Sequence, residues 1–127
     1  MSSDRDVLVH AVGQAIVADP VVADGAFDGY ALLVGYEGAT RRIAGFRYRA
    51  GAPAEAATPR SPAVEAALDA LRDGTRVEGE APWDACVVRI ARPSNRITLE
   101  FAYGEDAARW VVTPATLDDI IERARPT

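Results

Sequence analysis

At 127 residues, 49% hydrophobic and 26% charged, the chain suits one globular domain spanning residues 1–127; its apolar runs fall short of the about 20 residues needed to cross a bilayer. The net charge of −5, set against 14 basic residues that are all arginine, argues against nonspecific nucleic-acid binding and suits a basic partner. A single cysteine, Cys86, excludes an intrachain disulfide, and the opening Met1-Ser2-Ser3-Asp4-Arg5-Asp6 lacks the order of a secretory signal, so a cytoplasmic, non-membrane protein is expected.

Ser3 and Asp4 are candidate caps for a helix from about Arg5 to Ala18, with Val7, Leu8, Ala11, Val12, Ala15 and Ile16 at helical spacing on its apolar face. Asp19-Pro20 stops it, because the residue before a proline is biased away from helix. Asp24-Gly25 then turns the chain into a strand whose alternation places Tyr30, Leu32, Val34 and Tyr36 on one face. Glu37-Gly38 supplies a hairpin turn. On the return, about Thr40 to Arg49, Ala44, Phe46 and Tyr48 oppose Arg41, Arg47 and Arg49, the pattern of a sheet with one wet face.

Residues 51–59 are rich in alanine and proline and read as an exposed connector. Ser61-Pro62 opens a second helix, with serine as cap and proline in the first turn; Val64, Ala67, Leu68 and Leu71 form its stripe and Gly74 ends it. After a polar loop, Cys86, Val88 and Ile90 share one face of a third strand. Pro93-Ser94-Asn95 turns it back, and Ile97, Leu99, Phe101 and Tyr103 alternate with Arg96, Thr98 and Glu100. Trp110-Val111-Val112 reads as a short strand or as an extended segment over the core. A last helix begins at Thr113-Pro114, buries Leu117, Ile120, Ile121 and Ala124, and stops before Pro126.

The two hairpins echo each other. Phe27-Asp28 and Trp83-Asp84 open equivalent strands 56 positions apart, and the aromatic pairs Phe46/Tyr48 and Phe101/Tyr103 follow on the return strands, expected to fill one core. The order is α-ββ-α-ββ-α. The economical arrangement is an α+β fold with an antiparallel sheet of about four strands and helices on one face.

Motifs for chemistry are sparse. No HExxH, CxxC, GxSxG, Walker or GxGxxG pattern occurs, so no cofactor, metal or catalytic set is expected. His10 sits on a helix and Cys86 on an apolar strand face, where a free thiol behaves as a small hydrophobe. Arg41, Arg42, Arg47 and Arg49 beside Tyr36 and Tyr48 fit a solvated strand face better than a nucleic-acid surface. Trp83 and Trp110 flank strands and read as rings closing the core. The acidic residues Glu78, Glu80, Asp84, Glu105 and Asp106 fall in loops of the second half and are the candidate partner-binding surface.

Ala81-Pro82-Trp83-Asp84 leading into a strand, followed by Ile97-Thr98-Leu99-Glu100-Phe101-Ala102-Tyr103, resembles the YezG-like (DUF600) family of bacterial immunity proteins. The resemblance implies an α+β antitoxin, not an enzyme, that binds and silences a cognate toxin. It carries over no individual site residue: the turn Pro93-Ser94-Asn95 stands where the family has a glycine-centred turn, and Gly104-Glu105-Asp106 follows Tyr103 in place of an aromatic–Asp pair. The alternative expectation is a small-molecule-binding or housekeeping domain with a pocket between sheet and helices. A homodimer through a strand edge is compatible with either.

Overall fold

The computed structural model describes residues 4–24, 26–38, 40–92 and 94–126. Ser3, Gly25 and Pro93, invoked above as a cap and in two turns, lie outside them. Helix α1 runs Asp4–Ala18 and α2 Pro20–Ala23. Between them Asp19 is buried, and its carboxylate is fully used: Oδ1 accepts from Val21 N–H at 2.9 Å, and Oδ2 from Arg60 and Ser61 N–H at 3.0 and 2.7 Å. One side chain thus starts a helix and fastens the later segment that leads into α3 (Pro62–Gly74), which Ser61 caps.

Five strands, β1 (Gly29–Glu37), β2 (Thr40–Tyr48), β3 (Glu55–Ala56), β4 (Ala85–Ala91) and β5 (Arg96–Ala102), form one antiparallel sheet in the order β3-β2-β1-β4-β5. The α+β class and the side-by-side hairpins match expectation. The extra strand is β3, two residues of the alanine–proline connector added beside β2.

The helices do not share one face, contrary to the expectation. Val12, Ile16, Val22, Val64, Leu68 and Leu71 of α1, α2 and α3 pack on Tyr30, Leu32, Val34, Cys86, Val88 and Ile90. The opposite face carries Ala31, Leu33, Phe46, Tyr48, Val87 and Ala102. It is covered by Trp110 and by Ile120 and Ala124 of α5 (Leu117–Ala124), after the short helix α4 (Glu105–Ala108).

The aromatic pairs part for the same reason. Phe27 and Trp83, 56 apart, face the same side, but Phe46 and Phe101 are 55 apart, and a change of one residue along a strand reverses the face. Phe46 and Tyr48 therefore fill the α5 side and Phe101 packs on the α1/α3 side, while Tyr103 lies past the strand end, 51% exposed. The echo is accurate at the sheet centre, where Leu32 lies opposite Val88, its own counterpart. It fails in the hairpins, since Glu37 pairs with Thr40 at the end of the first ladder and Ala91 with Arg96 at the end of the second, a longer separation.

The arginine face of β2 is not wet throughout, because the helices lie on it. Arg41 pairs with Asp69 (2.5 Å) and Glu65 (3.2 Å) of α3. Arg47, 7% exposed, pairs with Glu55 and donates to the Val22 carbonyl at 3.4 Å, leaving its Nε without a partner. Trp83 is fully buried and closes one end of the larger core, stacked on Phe101 at 5.3 Å and edge-on to Tyr36 at 5.5 Å, with its indole N–H donating to Thr75 Oγ1 at 2.9 Å. Its role is structural. No helix among the described residues is long and apolar enough to cross a membrane.

A candidate binding groove on the sheet

The α5 face of the sheet is only partly covered. The eight-residue α5 lies at one end, where the Tyr48 hydroxyl donates to the Ile121 carbonyl at 2.8 Å and Arg89 donates to the carbonyls of Arg123 and Ala124 at its C-terminus. Those bonds place a cation on the negative end of the helix. Towards the β1–β2 turn the sheet carries small side chains: Gly35 on β1, Ala44 on β2 and Ala85 on β4. Ala107 and Ala108 of α4 form the opposite wall with Trp110-Val111-Val112, which, contrary to expectation, is neither strand nor extended at its start: Trp110 and Val111 N–H donate to the Ala107 and Ala108 carbonyls at 3.1 and 3.3 Å, turning the chain off the end of α4. The outcome is a half-open groove of about 610 Å³, floored by Leu33 and rimmed by the Glu37–Arg42 ion pair at 3.0 Å. Val111 and Val112 are each 37% exposed beside it.

Trp110 is held between the groove and the helix end, with the Arg123 guanidinium 4.2 Å from its ring centroid. The Arg123 guanidinium also donates to the Arg109 carbonyl at 2.8 Å, which ties the α4 segment to α5. The residue before the wall, Gly104, has φ +56°, a conformation that favours glycine and lets the chain leave β5 sharply into α4.

The five sequence-predicted acidic residues separate into two sets. Asp84 lines the groove, and its Oδ2 accepts from Gly104 N–H at 2.7 Å, which brings it to the start of α4 where Glu105 and Asp106 are exposed. Its backbone also bonds to Tyr36 and Ala102, so Asp84 is a structural tie as well as a rim charge. Glu78 and Glu80 are exposed in the 77–80 turn and do not line the groove. The apolar walls are the residues missed by sequence reasoning. Their one visible signal is glycine or alanine on the same strand face as Leu33 and Phe46.

The titratable groups near the core serve packing. Burial pushes the Cys86 thiol up to about 12 and the Tyr48 phenol up to about 12. Tyr36 is raised by burial and then by Asp69, to which its hydroxyl donates at 2.8 Å. Among the described residues no group of three or more His, Cys, Asp or Glu side chains is placed to hold a metal ion. His10 is exposed on α1, and Cys86 is buried among apolar side chains. In the groove itself, Glu37 and Arg42 neutralise each other and Asp84 is bonded to backbone. The arrangement is suited to receiving an apolar group beside negative charge.

Compared with known proteins, the chain matches no family model and no curated protein sequence.

Proposed function

We propose that the protein is a non-enzymatic binding protein that neutralises a cognate bacterial toxin by direct contact, taking an apolar side chain of the partner into the groove on the sheet. The observation that carries this reading is a recess of about 610 Å³ walled by apolar and small side chains, with Asp84 in its lining and with Glu105 and Asp106 exposed on α4, whose Ala107 and Ala108 form one wall. Apolar anchors set into a pocket dominate interface energies, whereas rim charges mainly steer association. A basic surface around the anchor would complement the three carboxylates. The resemblance of residues 81–84 and 97–103 to the YezG-like family supports the choice of a toxin as partner.

The test is rescue. Expression of the protein should protect cells from the toxin encoded by a neighbouring reading frame, and Gly35→Val, which fills the recess, should abolish protection at equal protein level. Glu105→Lys with Asp106→Lys should slow association and leave the fold intact. Protection by Gly35→Val equal to wild type would remove the groove from the account.

A second reading rests on the size of the same recess, which falls within the ~300–1,000 Å³ typical of small-molecule sites. In that case a metabolite should raise the melting temperature of the wild type and leave that of Gly35→Val unchanged.

A further inference from the structure

The ladder fixes which backbone groups of β5 face outwards. Arg92 N–H donates to the Asp28 carbonyl at 2.9 Å and Tyr36 N–H to the Asp84 carbonyl at 2.8 Å, both continuing the β1–β4 register. Even-numbered residues of β4 therefore present their backbone groups to β1, and Ala85, Val87, Arg89 and Ala91 present theirs to β5. Their partners on β5 are Ala102, Glu100, Thr98 and Arg96. The N–H and C=O groups of Ile97, Leu99 and Phe101 consequently point away from the sheet, and among the described residues no strand lies beyond them.

The two edges of the sheet differ. At the other, β3 is two residues long, and the chain just after it occupies Gly45: Ala57 N–H donates to the Gly45 carbonyl at 2.8 Å, and Gly45 N–H to Thr58 Oγ1 at 3.2 Å. By contrast β5 is seven residues long and contains no proline. Long unpaired edges are templates for further pairing unless something blunts them.

The sequence of β5 is complementary to itself in reverse. We propose that β5 is a self-association edge, on which a second copy pairs antiparallel about a two-fold axis at Thr98, setting Arg96 opposite Glu100 and Ile97 opposite Leu99 of the other copy. In this register Ile97 and Leu99 are the residues with outward backbone groups, so each Ile97–Leu99 pair exchanges both of its N–H···O bonds. Arg96 and Glu100 fall in the alternate, more closely spaced positions, where facing side chains interact best. The charges are prepared for it. Arg96 is exposed and makes no ion pair among the described residues, and Glu100 is held by Arg89 through Oε1 at 3.0 Å, with Oε2 left for a second donor. On the other face Ile97, Leu99 and Phe101 are half-buried and would be covered further by the added strand. The product is a continuous sheet with five strands from each copy, and the groove near the β1–β2 turn stays open.

The experiment is sedimentation velocity over a concentration series on the full chain, with circular dichroism as a check on folding. Wild type should shift from monomer to dimer. Arg96→Glu sets Glu against Glu in both cross-strand pairs and should weaken self-association about tenfold or more, as should Glu100→Arg. Mixing the two variants restores opposite charge at every pair, so the mixture should form a one-to-one dimer that neither forms alone. A wild type that stays monomeric up to its solubility limit overturns the proposal, as does self-association of Arg96→Glu equal to wild type. Because Glu100→Arg sits beside Arg89, Thr98→Arg is the alternative: it places two arginines together on the axis, and undiminished dimerisation of that variant overturns the register.

Discussion

Gly35 gives the sharpest perturbation, because stability and binding should respond in opposite directions. A Cβ built at Gly35 meets no atom within 4 Å, and the backbone is not in the left-handed region, so a larger side chain enters open space. Gly35 lies within β1, where glycine is less favourable than a residue with a side chain by about 0.5–1 kcal/mol, and valine is well suited to a pleated strand. Gly35→Val should therefore stabilise the fold by about that amount and raise the melting temperature by about 2–5 °C. The new isopropyl group takes the place of a partner's apolar side chain. Losing the burial of one such group is worth about 1.5–3 kcal/mol, or about ten- to a hundredfold in dissociation constant. Thermal denaturation by circular dichroism and titration calorimetry with the partner read the two effects separately. A destabilised Gly35→Val would refute the reasoning about space, and a stabilised variant with unchanged affinity would refute the assignment of the groove.

The buried Tyr30 hydroxyl donates to the Ala57 carbonyl at 2.7 Å, so Tyr30→Phe should cost about 1–2 kcal/mol in urea denaturation; a neutral result would mean that water satisfies the carbonyl. Cys86, with its thiol pushed up by burial, should react with a maleimide only as fast as the protein unfolds, and rapid labelling of the native state at pH 8 would contradict its burial. At Asp69, burial pushes the carboxyl up, but the hydrogen bonds from Arg41 and Tyr36, with Arg72 nearby, outweigh it and hold the group below the ordinary carboxylate value. Its contribution is therefore complete above the ordinary value of about 4 and is lost as pH falls through the lower folded value. Asp69→Asn should flatten the acid limb of the stability profile, and an acid limb identical to wild type would count against the Arg41–Asp69 pair.

Alternation was a sound guide wherever a strand had a strong two-residue period. Ala44/Phe46/Tyr48 and Cys86/Val88/Ile90 each share a face as expected, and the cap at Ser61 follows from residue type alone, whereas Asp19, expected only to stop α1, also caps the four-residue α2. Alternation within a strand does not say which face of a second strand joins it, so the separation of Phe46 from Phe101 depended on hairpin register. Arg47 was expected in water because of its charge; it is buried because Val22 and Glu55, brought in by separate segments, supply an acceptor and a counter-charge. The four-residue α4 and two-residue β3 are shorter than any period that would reveal them. The groove was the least legible feature, since it is made by what Gly35, Ala44 and Ala85 lack, and periodicity counts only the side chains that are present.

The sheet separates two tasks. The larger core, closed at one end by Trp83, lies on the α1/α3 side, while the groove lies on the other. A full layer of hydrogen-bonded backbone stands between them. On the reading proposed for the groove, recognition would drift independently of folding: exchanges of one small side chain for another along it would follow a changing partner without any repacking around Trp83.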